Sequence, residues 1–129
     1  MLLDLNEDET MLRNGLQQFA EGSLRPNIKA FADEHKFPTA LMKEFLALGF
    51  MGTAYDPNYG GGGLGTRGAA IVAEQLARIE PGFAAIYLCN SAPMTTIARY
   101  GSDEIKSKWL EPLCRGEMIA SFGVTEPSG

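Results

Sequence analysis

Apolar residues recur at helical spacing in five successive stretches of this chain, and glycine or proline punctuates each one, a pattern that selects an all-α fold. Leu12, Leu16 and Phe19 stand at i, i+4 and i+7, and Leu24, Ile28 and Phe31 repeat that spacing. Together they describe one apolar stripe on a helix over about 6–34. Pro26 lacks an N–H and crowds the preceding turn, so it is expected to bend or split that helix near Leu24. Pro38 and Thr39 open a second helix with Leu41, Met42, Phe45 and Leu46 on its buried face. Gly49 then occupies the left-handed cap position, and Phe50 supplies the cap's hydrophobic contact.

A third helix from about Thr66 carries Ala69, Val72, Ala73, Leu76 and Ile79, and Pro81 with Gly82 is expected to end it. The fourth, from about Phe83 to Tyr100, has Phe83, Ile86, Tyr87, Met94, Ile97 and Ala98 on one side. Asn90 falls inside that stripe and must find a hydrogen-bond partner. Ser102, followed by Asp103 and Glu104, caps a short fifth helix through Trp109 to Leu113, which Gly116 closes.

After Gly116 the helical period stops. Residues Met118 to Val124 read as an extended run that leads into Thr-Glu-Pro-Ser-Gly. One strand cannot form a sheet alone. The expected organisation is therefore a helical domain of five to six helices over 1–117, with 118–129 the first strand of a truncated β domain.

At 129 residues, 45% of them hydrophobic, the chain accommodates one ordinary core. Eleven basic against sixteen acidic residues give a net charge of −5 without any Lys/Arg run, which argues against nucleic acid. No stretch approaches about 18 consecutive apolar residues, and the opening Met-Leu-Leu turns acidic at Asp4. A transmembrane span, signal peptide or transit peptide is therefore not expected, and the reading is a cytoplasmic protein. Cys89 and Cys114 have no CxxC or His-paired spacing, so free thiols are expected rather than a disulfide or a metal site. His35, within Ala-Asp-Glu-His-Lys, reads as a solvated surface residue.

Gly60, Gly62 and Gly65 spell G-x-G-x-x-G ahead of a helix. A dinucleotide loop works only where a buried strand feeds the first glycine, so that backbone N–H groups and a helix N-terminus converge on a pyrophosphate. Here Asp56, Pro57 and Asn58 precede it and mark a turn. The acidic residue twenty positions on, Glu80, sits at a helix end before Pro81. These glycines read as a helix-to-helix connector chosen for positive φ and close backbone packing.

The segments PNYGGGGLGT, AEQLARIEPG and ARYGSDEIKSKWLEPLCRGEMIASFGVTEPSG, with the earlier LRPNIKAFADEHKFP, resemble the N-terminal part of the acyl-CoA dehydrogenase family. The resemblance spans essentially all 129 residues and about a third of a family member. It implies an N-terminal α domain, a middle β domain, a C-terminal helical domain and bound FAD. It also implies a reaction: a proton leaves the α carbon of an acyl-CoA thioester, a hydride passes from the β carbon to flavin N5, and the trans-2-enoyl-CoA results. Such chemistry needs a base at the α carbon and donors that polarise the thioester carbonyl. The family's carboxylate base lies beyond Gly129, so no catalytic residue is expected in this chain.

By the same resemblance, Phe122, Val124 and Thr125 contact the flavin, Val124 through its backbone and Thr125 through hydroxyl and backbone bonds. Phe122 has no hydroxyl, so packing or a backbone bond is all it offers. The middle of the fourth helix implies an acyl-pocket wall at Ala85, Leu88, Cys89 and Ala92. The plain alternatives are that Thr125 ends a strand and that a small apolar helix face is simply core. Glu126 precedes Pro127 in a loop and reads as a structural carboxylate rather than a base. Tyr55, Tyr59 and Tyr87 are expected in core or rim packing. The implied partners are an acyl-CoA, an electron-transfer flavoprotein as electron acceptor, and further copies in a homotetramer or dimer. A stand-alone helical ligand-binding or interaction module without redox activity is the alternative, since 129 residues make an ordinary domain.

Overall fold

In a computed structural model, the described residues are 4–34 and 36–128, and they form helices and no strand. The side chains of Phe31, Ala32 and Glu34 are outside that description, as are the expectations for Phe31 and His35. Helix α1 is Glu7–Phe19, α2 Arg25–Glu34, α3 Thr39–Ala47, α4 Gly65–Ala77 and α5 Pro81–Tyr100. The short α6, Asp103–Ile105, and α7, Glu111–Cys114, complete the all-α domain. Helix α4 is the middle layer, packed between α1 and α5.

Pro26 does not split the first helix. A wide π-turn, Ala20–Leu24, joins α1 to α2, and the Arg25 N–H bonds back to the Ala20 carbonyl, five residues away. Widening the turn absorbs the missing donor and the ring clash that Pro26 brings. The same device recurs before Pro112, where Lys106–Leu110 is a π-turn and the Glu111 N–H reaches the Lys106 carbonyl.

Pro81 begins α5 rather than ending α4. At the first helical position its missing N–H has no partner to lose, and the Glu80 side chain caps the Phe83 N–H. The other punctuation follows the sequence reading. Gly49 takes φ 76° beside a buried Phe50, and the Ser102 hydroxyl accepts from the Ile105 N–H.

The stripes converge on an aromatic cluster. Phe19 of α1, Phe45 of α3, Phe50 and Phe83 of α5 are all buried, with ring centroids from 5.6 to 6.3 Å apart. Tyr87 stands 6.0 Å from Phe45 in an edge-on pair. Each such ring contributes on the order of 1.5–3 kcal/mol by leaving water. Leu16, Leu24, Val72, Leu76 and Met94 fill the space between. The consequence for function is that α5 is held rigidly along one side only.

Candidate functional site

The held side of α5 is Phe83, Tyr87, Asn90 and Met94, all buried. At 100° per residue, Ala85, Leu88, Cys89 and Ala92 lie on the opposite side. Ala85, Leu88 and Cys89 are exposed and Ala92 is half-buried; Leu88 leaves 52% of its surface open. This face is apolar and small, yet it is not core.

Asn90 has the partners that its polarity requires. Its Nδ2 donates to the Ile86 carbonyl at 2.9 Å, and its Oδ1 accepts from the Ala120 N–H at 2.8 Å. The second bond ties the chain leaving the domain to the middle of α5. Upstream, the Glu117 N–H bonds the Pro112 carbonyl at 2.9 Å. Past Ala120 the chain runs from Ser121 to Glu126 in no helix or strand, before a turn at Pro127 and Ser128. Phe122 and Val124 are 56% and 64% exposed, and Thr125 and Glu126 are exposed as well. The expected strand is not formed among the described residues, because an extended segment becomes a strand only through a ladder partner.

Residues 118–126 therefore offer peptide groups and four exposed apolar side chains, Met118, Ile119, Phe122 and Val124, to whatever lies alongside. The sequence flagged Asn90 by its polarity, but nothing in the sequence flagged Ala120 as its partner. Cys114 is buried and burial pushes its thiol up to about 11, so it is an inert packing group; Cys89 is free and exposed. Tyr55 and Tyr87 are buried, whereas Tyr59 is half-buried and bonds Asp103 at 3.2 Å.

The glycine loop is closed to phosphate. The N–H groups of Gly61, Gly62, Gly63 and Leu64 donate to the carbonyls of Asp56, Gly52, Tyr55 and Thr53. A Cβ on Gly61 would sit 2.1 Å from the Tyr55 carbonyl oxygen, so glycine is required there by contact with the preceding turn. Four of the donors that a nucleotide cradle would use are consumed in folding the connector.

The family model described as "Acyl-CoA dehydrogenase, N-terminal domain" matches residues 6–117. The chain belongs to the acyl-CoA dehydrogenase family. It is 33% identical over 123 residues to the 3-(aryl)acrylate reductase of Clostridium sporogenes, covering 94% of this chain and 32% of that protein. It is 29% identical over 129 residues to the short-chain specific acyl-CoA dehydrogenase of Clostridium acetobutylicum, covering 99% of this chain and 34% of that protein. Among solved structures it resembles a chain from work on the electron transferring flavoprotein of Acidaminococcus fermentans, with TM-score 0.93, 31% identity, and 99% and 34% of the two chains covered. It also resembles a glutaryl-CoA dehydrogenase from Mycobacterium smegmatis in complex with FADH2, with TM-score 0.86, 32% identity, and 97% and 32% covered. The chain thus spans about a third of the length of the curated relatives it matches. As an acyl-CoA dehydrogenase N-terminal domain, it has no described helix long and apolar enough to cross a membrane.

Proposed function

We propose that this chain is the N-terminal part of an FAD-dependent acyl-CoA dehydrogenase, in which the outer face of α5 is one wall of the acyl site and the segment from 118 opens a β domain carrying the first flavin contacts. One observation carries the proposal: the Asn90–Ala120 bond fastens an exposed extended segment to the buried side of α5, the helix whose opposite side is the unburied apolar face. Family membership supplies the chemistry to which that juxtaposition is suited.

The residues fit the two ligands. A saturated acyl chain needs apolar surface without competing polar groups, and Ala85, Leu88, Cys89 and Ala92 offer it. A flavin ring needs an apolar side chain against its plane and peptide or hydroxyl groups at its polar edge; Phe122, Val124 and Thr125 supply those types. A flavin held by these residues would supply the acceptor for the hydride from the substrate β carbon. The residues of this chain bind and orient, hold the acyl chain out of water, and leave proton abstraction to a carboxylate elsewhere in the protein. Glu126 is exposed and takes no part in it.

An electron-transfer flavoprotein as acceptor, and assembly into a dimer or tetramer, belong to the same proposal. So does the cytoplasmic setting. The 33% identity to an arylacrylate reductase favours a second reading, in which hydride and proton are added to an unsaturated acid rather than withdrawn from a saturated thioester.

The test is to purify the full-length protein, release its chromophore and identify it. FAD at about one per chain, with reduction by acyl-CoA, supports the dehydrogenase reading. Reduced protein reoxidised by a 3-arylacrylate and not by an enoyl-CoA supports the second. A protein that carries no flavin and takes up none overturns both.

A further inference from the structure

Asn90 is 5% exposed, lies on the core side of α5, and is adjacent in sequence to Cys89 on the outer face. Its carboxamide makes one bond inside its own helix and one to a residue 30 positions later. Resting on the function proposed above, the geometry points to Asn90 as a positioning residue, one that fixes the height and register of the flavin-contacting segment against the acyl-binding face of α5.

Reach and stiffness give Asn90 this effect. At about 3.3 Å per extended residue, Phe122 to Thr125 begin about 7 Å and end about 17 Å along the chain from the anchored Ala120 N–H. The Asn90–Ala120 bond is the last hydrogen bond that ties this segment to the helical domain among the described residues. Helix α5 itself is immobilised by Phe83, Tyr87 and Met94, each with 1% or less of its surface exposed. The reference point is thus well packed, and the segment is fastened to it by one hydrogen bond beside the packing of Ala120 against the core. Hydride transfer requires donor and acceptor atoms in near contact, and a slip of about 1 Å can cost about 100-fold in rate. A group that sets one wall against the other therefore acts on the chemical step without touching substrate or flavin.

Few residues can replace it. Leucine keeps the volume but makes neither bond. Serine can still donate to the carbonyl four residues back, as serine does within helices, but is too short to accept from Ala120. Aspartate keeps an oxygen where the Ala120 N–H points but, as a carboxylate, has no donor for the Ile86 carbonyl. Glutamine places its amide a methylene further out, inside a packed interior.

The experiment compares the full-length holoenzyme with Asn90→Ser, Asn90→Leu and Asn90→Asp. Two quantities are read: hydrogen exchange of the Ala120 amide in substrate-free protein, and kcat and KM for acyl-CoA per bound flavin. Asn90→Ser and Asn90→Leu are expected to exchange Ala120 at least about tenfold faster. They are expected to lose about 10- to 100-fold in kcat per bound flavin with KM within about twofold. Asn90→Asp, which keeps the acceptor for Ala120 and loses the donor to Ile86, should exchange Ala120 more slowly than Asn90→Ser and retain more of the kcat. Serine retains the intrahelical bond, so a failure of the leucine variant to fold leaves the serine variant to decide. Unchanged Ala120 exchange in either variant, or a loss confined to flavin content or KM while kcat per bound flavin holds, overturns the assignment. Absence of flavin from the unsubstituted protein instead overturns the underlying function, and it is visible before any substitution is made.

Discussion

Glu9 and Arg67, 58 residues apart, meet in a two-pronged ion pair: Arg67 Nε donates to Glu9 Oε1 at 2.6 Å and Nη2 to Oε2 at 2.8 Å. Glu9 also closes a capping box, accepting from the Asn6 N–H at 3.0 Å while Asn6 Oδ1 accepts from the Glu9 N–H at 2.8 Å. One carboxylate therefore starts α1 and fastens it to the first turn of α4. The Asn6 N–H first and the Arg67 guanidinium second hold the Glu9 carboxyl below its ordinary 4.5. A depressed pKa contributes stability above the unfolded value and loses it as pH falls through the folded one. Glu9→Gln should therefore lower the thermal midpoint at pH 7, and the gap from the wild type should narrow steadily below about pH 4.5. A gap of equal size at pH 3 and pH 7 would count against the pair as a source of stability.

Two glycines should respond in opposite directions to the same substitution. Gly61 has no room for a Cβ beside the Tyr55 carbonyl, whereas nothing lies within 4 Å of a Cβ on Gly22 in the first π-turn. Gly61→Ala should cost about 3 kcal/mol or more, by displacing backbone. Gly22→Ala should gain about 0.5–1 kcal/mol, by restricting the unfolded chain. Urea unfolding of the two variants measures both, and a tolerated Gly61→Ala would mean that the loop does not fold back as described.

The tyrosine hydroxyls make a second contrasting pair. Tyr55 donates to the Ser91 carbonyl at 2.9 Å and lies 3.2 Å from the Thr95 hydroxyl, joining the loop to α5. The Tyr87 hydroxyl is buried and makes no hydrogen bond of ordinary geometry; burial pushes its pKa up, and the nearby Thr53 side chain only partly offsets that. Tyr55→Phe should cost about 1 kcal/mol, while Tyr87→Phe should be neutral or stabilising by up to about 1 kcal/mol. Thermal denaturation resolves the difference; a marked loss in the Tyr87 variant would show that its hydroxyl is satisfied.

What the sequence made legible was local. The spacing of Leu12, Leu16 and Phe19, the left-handed cap at Gly49 and the Ser102 cap depend on residues within one or two turns of each other. The partners of these helices depend on contacts that no local pattern encodes. Glu9 reads as one of three acids in a first turn, and only Arg67, far along the chain, makes it a buried group. Pro26 and Pro112 announce an interruption but not that a π-turn will absorb it. For the candidate site, the polarity of Asn90 foretold a partner, while the identity of that partner came from the path of the chain after Gly116. The exposure of Leu88 was equally hidden, because an apolar helix face looks the same in sequence whether it meets core or ligand.

If Leu88 and Cys89 line the acyl site, filling that wall should change which substrates fit. Leu88→Trp or Cys89→Trp in the full-length protein should shift preference toward shorter acyl chains by about 10-fold or more in relative kcat/KM, the scale expected when a few methylenes lose their space. Both positions are exposed in this domain, so stability should hold. An unchanged chain-length profile in both variants would remove them from the wall.

The central claim is that this α domain serves a flavin that oxidises acyl-CoA. Anaerobic mixing of the full-length protein with a saturated acyl-CoA, followed in the visible flavin band and by analysis of the thioester product, tests it most directly. The account predicts bleaching of the flavin with formation of trans-2-enoyl-CoA at about one per flavin. A flavin that stays oxidised with every saturated acyl-CoA offered, or a protein without flavin, would contradict it.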